Sequence, residues 1–86
     1  IMETLFSLHI EIEYEEQPKA WTRYGPYTTL QAASEIMLDF TKSILEADFL
    51  LRKGWTEVRV TLQEYAVTPN GWELLADKAT EIYRNE

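Results

Sequence analysis

His9, Ser7 and a row of glutamates are the residues of this chain whose types could do chemistry. Ser7 and His9 lie two positions apart, the spacing that puts both on one side of a strand. A serine with a histidine base is the start of a nucleophilic pair, but such a site also needs donors for an oxyanion. No Gly-x-Ser-x-Gly context surrounds Ser7 or Ser43. His9 and Glu11 could both touch a metal ion, yet zinc needs three or four such ligands. The chain has one histidine and no cysteine, so no metal site and no cofactor is expected. Calcium uses dense Asp-rich loops with a glycine, and the Glu15-Glu16 turn is too sparse for that. Glu11 and Glu13 stand about 6.7 Å apart on an extended strand, within the range of inverting glycosidases. Any acidic strand shows this spacing, so no catalytic residue is assigned.

Phosphate binding has equally little to stand on. Tyr24-Gly25-Pro26-Tyr27-Thr28-Thr29 connects a strand to a helix start, but one glycine followed by proline leaves few free N–H groups for a cradle. Trp21 beside Arg23 could stack a single-stranded base. The neighbouring Glu11, Glu13 and Glu15 would repel its phosphates, so direct nucleic-acid binding is not expected.

The feature that leans toward function is the acidic row itself. Glu11, Glu13 and Glu15 alternate with apolar residues, Glu16 follows, and Glu57 falls on a neighbouring strand. The formal charge is −7, from 15 acids against 8 bases in 86 residues. Such a surface attracts a basic protein patch and speeds encounter with it. Its charge spacing is about half as dense as the 3.4 Å repeat of a DNA strand, so imitation of DNA needs further carboxylates, such as Glu35, Asp39 and Glu46. The expected partner-binding set is Glu11, Glu13, Glu15, Glu16, Trp21, Arg23 and Glu57. The expected role is a non-enzymatic interaction module, such as a phage-type inhibitor or adaptor held on a basic surface of a nucleic-acid-handling protein. Two alternatives stand beside it. One is a structural subunit or homodimer that buries the open sheet face or an edge strand. The other is a small-molecule-binding or enzymatic domain built on Ser7, His9 and Tyr65.

The elements that must position these residues follow from periodicity. From Leu5 to Glu16 the chain alternates, with Phe6, Leu8, Ile10, Ile12 and Tyr14 on one side and Ser7, His9, Glu11, Glu13 and Glu15 on the other. Period two marks a half-buried strand. Pro18 breaks it, and Lys19 to Tyr24 reads as a second strand that Gly25-Pro26 ends. Thr28 with Gln31 is a capping-box pattern. Leu30, Ala33, Met37, Phe40, Ile44, Ala47 and Leu51, widened by Ile36, Leu38 and Leu45, then form the stripe of one long helix closed by Arg52, Lys53 and Gly54.

Trp55 to Tyr65 is a third strand. Thr68-Pro69-Asn70-Gly71 is a turn, and Trp72, Leu75, Ala76, Ala79, Ile82 and Tyr83 share the face of a second, short helix. The rival for residues 66–74 is a short hairpin with Val67 and Trp72 flanking the turn. The expected fold is therefore α+β, in the order β-β-α-β-α. Its sheet is three-stranded and mainly antiparallel, in the order 2-1-3, and both helices cover one face. The whole of 1–86 forms one small domain. Ile1 precedes Met2, so the natural start is expected at Met2. The N-terminus lacks the basic start and apolar core of a signal peptide, and no apolar run reaches the roughly 18 residues of a span, so a cytoplasmic location away from membranes is expected.

Overall fold

The computed structural model describes residues 3–40 and 54–85. Four strands and one helix follow in the order β1 (Thr4–Tyr14), β2 (Ala20–Tyr27), α1 (Leu30–Asp39), β3 (Trp55–Thr68) and β4 (Gly71–Arg84). The strands make one antiparallel sheet in the order β2-β1-β3-β4. The expected three-stranded sheet with a long and a short helix is thus replaced by a four-stranded sheet and, among the described residues, one helix of 10 residues.

β1 explains why the sheet has two unlike faces. Its even-numbered side chains Phe6, Leu8, Ile10 and Ile12 are buried. Leu8, Ile10 and Ile12 sit directly across from Leu62, Val60 and Val58 of β3, Phe6 lies across from Glu64 at the margin, and on β2 the four face Tyr24, Thr22, Ala20 and, for Phe6, Tyr27. Directly opposed residues share a face, so these positions form one apolar layer. α1 lies on it, with Ala33, Met37 and Phe40 buried against it. Each fully buried Leu, Ile or Val there contributes about 1.5–3 kcal/mol. The strand ends at Tyr14, one residue short of Glu15, and Glu15 and Glu16 lie in the bend beyond it.

β2 also runs past its expected end. Phe6 pairs with Tyr27 and Leu8 with Tyr24, so β2 carries one extra residue there and continues through Gly25-Pro26. Gly25 has a φ of 122°, and a Cβ on it would meet the Phe6 carbonyl oxygen at 3.2 Å. Glycine is therefore needed both for the backbone angle and for the close approach. The helix cap falls one residue later than Thr28. Thr29 is the N-cap, and its Oγ1 accepts from the Ala32 N–H at 3.1 Å. Gln31 donates to Glu35 rather than back to the cap. Leu38, expected on the buried stripe, is exposed. The part of the long helix expected over 41–53 lies outside the described residues.

The largest departure is β4. Pro69-Asn70 makes the two-residue link of a hairpin in which Thr68 faces Gly71 and Val67 faces Trp72. The turn is the one the hairpin alternative expects, but a strand and not a helix follows it. The strand runs on to Arg84 because every residue of it except Leu75 and Lys78 lies opposite a residue of β3. Two register shifts explain the helical look of the sequence. Leu62 faces Ala79 and Gln63 faces Asp77; Glu64 faces Ala76 and Tyr65 faces Leu74. Lys78 and Leu75 are the bulged extra residues. The residues on the α1 side are then Glu73, Ala76, Ala79, Glu81 and Tyr83, in steps of three, three, two and two. Two bulges have turned a strand period into a near-helical one.

Hydrogen exchange separates the two readings of this segment. As an edge strand, residues 71–84 should show slowed amides alternating with fast ones, because only one side of β4 meets β3; a helix would slow an unbroken run. Gly25→Ala should cost about 1–3 kcal/mol in urea unfolding, since a side chain there meets both backbone strain and the Phe6 carbonyl.

Candidate functional site

The second face of the sheet carries the candidate residues. Pairing places Glu11 between Trp21 of β2 and Arg59 of β3, and Arg59 faces Ile82 of β4. The row Trp21–Glu11–Arg59–Ile82 therefore crosses all four strands. The next row toward the hairpin tip is Arg23–His9–Thr61–Thr80, and the row on the other side contains Glu13, Glu57 and Arg84. Glu11, Glu13, Glu57, Trp21 and Arg23 all sit on this face. Glu15 and Glu16 do not: they are exposed at the β1–β2 bend, and the Glu15 N–H donates to the Gly54 carbonyl at 2.9 Å. Beside them is an open cleft of about 160 Å³ lined by Tyr14, Glu15, Glu16, Gln17 and Gly54.

The acidic row is paired within the chain. Glu11 meets His9 Nε2 at 3.3 Å and Lys19 Nζ at 3.7 Å. Lys19 also reaches Glu13 at 3.4 Å. Glu57 meets Arg84 Nε at 3.3 Å and Arg59 at 3.8 Å. Among the described residues this face presents the carboxylates Glu11, Glu13, Glu57 and Asp77 beside the cations Lys19, Arg23, Arg59 and Arg84. Its charge is balanced, and the acid excess of the chain resides elsewhere. Lys19, Arg59 and Arg84 come from other elements than the acidic row. Their spacing becomes visible only once the register is known.

His9 is held by a ring contact and a hydrogen bond. Its ring stacks on Trp21 with centroids 5.5 Å apart and planes 26° from parallel. The hydrogen bond from His9 holds the Glu11 carboxyl below the usual carboxylate range; burial works against this, and Lys19 adds to it. Nδ1 of His9 and Oγ of Ser7 are both buried and have no hydrogen-bond partner. Ser7 is fully covered by its neighbours, so it presents no reachable nucleophile.

A polar chain spans the middle of the face. Arg23 Nη2 donates to the Tyr65 hydroxyl at 3.0 Å, Tyr65 donates to Gln63 Oε1 at 2.7 Å, and Gln63 donates to Asp77 Oδ1 at 3.2 Å. The Arg23 guanidinium also lies 5.2 Å from the centre of the Tyr65 ring. Tyr65, Gln63 and Asp77 thus fix Arg23, a role that spacing along the sequence does not show. Toward the hairpin tip the face becomes apolar, with Tyr65 and Trp72 rings 6.2 Å apart and Leu74 beside them.

No group of three or more His, Cys, Asp or Glu among the described residues could hold a metal ion, and no helix among them is long and apolar enough to cross a membrane. Comparison with protein-family models, with curated proteins and with solved structures gives no match.

The lowered Glu11 fixes the sign of a pH effect. A carboxyl that protonates less readily folded than unfolded stabilises the fold fully above the ordinary carboxylate range, and that contribution is lost as pH falls through the lowered folded value. Urea unfolding of wild type and Glu11→Gln should therefore differ most at neutral pH and converge in acid. A gap that persists unchanged to pH 2 would show that the ionised Glu11 is not its source.

Proposed function

We propose that this protein is a non-enzymatic interaction module that docks another protein surface onto the open face of its sheet, with Trp21 as the anchor. The observation that carries this reading is the state of Trp21. It is the more exposed of the two tryptophans on this face, yet its ring is stacked on His9, which is tied to Glu11. A large aromatic held in place before binding loses little freedom on docking, which is how interface anchors gain affinity. Arg23, clamped by Tyr65, is a second preorganised contact on the same edge. Glu11, Glu13 and Glu57 supply its polar rim, and each already has a cation of its own chain.

A partner with a basic surface is a second reading, favoured by Glu15 and Glu16 at the bend. They are exposed next to Glu13 and border the cleft there. Exposed pairs are worth only about 0–1 kcal/mol each, so charge would steer such a partner more than hold it. Lys19 competes with any incoming cation for Glu11 and Glu13.

The test is affinity capture by the tagged chain from a lysate that also holds untagged copies of it. The wild type should retain a stoichiometric protein, and Trp21→Ala should lose it. A basic partner should be retained more strongly by Lys19→Gln and released by moderate salt. Equal retention by wild type and Trp21→Ala contradicts the anchor, and salt-insensitive retention removes the basic-partner reading.

A further inference from the structure

β2 is an edge strand, and no strand of the described residues lies beyond it. The phase of its backbone follows from one bond. The Val67 N–H donates to the Glu3 carbonyl at 3.0 Å, which makes Glu3 and Val67 a hydrogen-bonded pair between the chain leading into β1 and β3. Such pairs alternate with non-bonded ones along an antiparallel ladder. Odd-numbered residues of β1 therefore turn their backbone groups toward β3, and even-numbered ones turn theirs toward β2. Leu8, Ile10 and Ile12 meet Tyr24, Thr22 and Ala20 there. Trp21 and Arg23, the residues between, point their N–H and C=O groups out of the sheet edge.

The same two residues carry their side chains on the open face, about 6.7 Å apart along the strand. Trp21 is stacked on His9, and Arg23 is held by the Tyr65 hydroxyl and ring. Arg23 is also the only basic side chain among the described residues without a carboxylate partner. His9, Lys19, Arg59, Lys78 and Arg84 each have one. Tyr65 takes one N–H of the guanidinium. The remaining fork of donors matches a planar carboxylate. The second charge of a phosphate would instead sit near Glu11, which faces Trp21.

We propose that β2 receives an extended segment of a partner protein as an added strand, which sets a carboxylate on Arg23 and an apolar side chain on Trp21. This rests on the reading of Trp21 as a docking anchor and names the chemistry of what docks. In strand addition the main-chain bonds supply affinity and alternate side chains supply specificity. Directly opposed residues share a face, so the acid and the apolar residue are two positions apart in the segment. Antiparallel addition puts the acid first, as acid-x-apolar. β2 suits this better than the other edge of the sheet. It pairs in unbroken register from Ala20 to Tyr24, whereas β4 is interrupted by bulges at Leu75 and Lys78. Bulges of that kind protect an edge from added strands.

Selection of short random peptides displayed on phage against the immobilised chain tests this. The wild type should enrich acid-x-apolar sequences. Arg23→Glu, checked for folding by circular dichroism, should replace the acid by Lys or Arg at the same position and keep the apolar residue. Arg23→Gln should weaken the synthetic form of the enriched peptide by about tenfold. Methylating the backbone nitrogen of its acidic residue should abolish binding, because that N–H bonds the Arg23 carbonyl. Methylating the next residue, whose N–H points away from β2, should leave binding intact. Failure to enrich any sequence overturns the proposal, as does an acid retained on Arg23→Glu or equal binding by the two methylated peptides. None of these results touches docking of a folded surface on Trp21, which the Trp21→Ala capture decides separately.

Discussion

The phase of β1 is the constraint on which the rest of this structure depends. It lies inside the sheet, with α1 packed on its buried side and the buried side chains of β3 directly across from its own. Phe6, Leu8, Ile10 and Ile12 can enter the core only together, because side chains alternate strictly along a strand. A slip of one residue would exchange them for Ser7, His9, Glu11 and Glu13. Burying two carboxylates without partners costs far more than any surface pair returns, so the register is fixed from within. Everything on the outer face inherits its position from that choice.

What the outer face inherits differs from a simple acidic ladder. The strand delivers Glu11 and Glu13 to one side, but β3 and β4 deliver Arg59 and Arg84 to the same side, and the β1–β2 link brings Lys19. Net charge is a property of the whole chain and says little about a single face. Here the excess acid lies away from the sheet's open side, and that side combines balanced charge with an exposed tryptophan at one edge and an apolar end at the hairpin. The proposed docking therefore rests on shape and apolar contact rather than on net charge.

Much of this was legible in the sequence, and the failures have physical causes. Clean alternation in β1 and in Val58–Val60–Leu62 made both strands and their faces readable. Trp21 and Arg23 fall on the same face because β2 alternates over this stretch. β4 was not readable as a strand: bulges at Leu75 and Lys78 each insert a residue, and the apolar spacing then mimics a helix. The continuation of β2 was hidden by Gly25-Pro26, which ends most strands but here sits in a bulge. Long-range partners were the hardest to read. Tyr65 reaches Arg23 over 42 residues of chain, and neither residue carries a local signal of the other.

The central claim is that one row of side chains, Trp21, Glu11, Arg59 and Ile82, crosses the four strands on a single face. The most direct measurement is a nuclear Overhauser spectrum of the labelled protein. The account predicts cross-strand contacts from Trp21 to Glu11, from Glu11 to Arg59 and from Arg59 to Ile82. Contacts three residues apart running through 72–84, with none from Arg59 to Ile82, would contradict it.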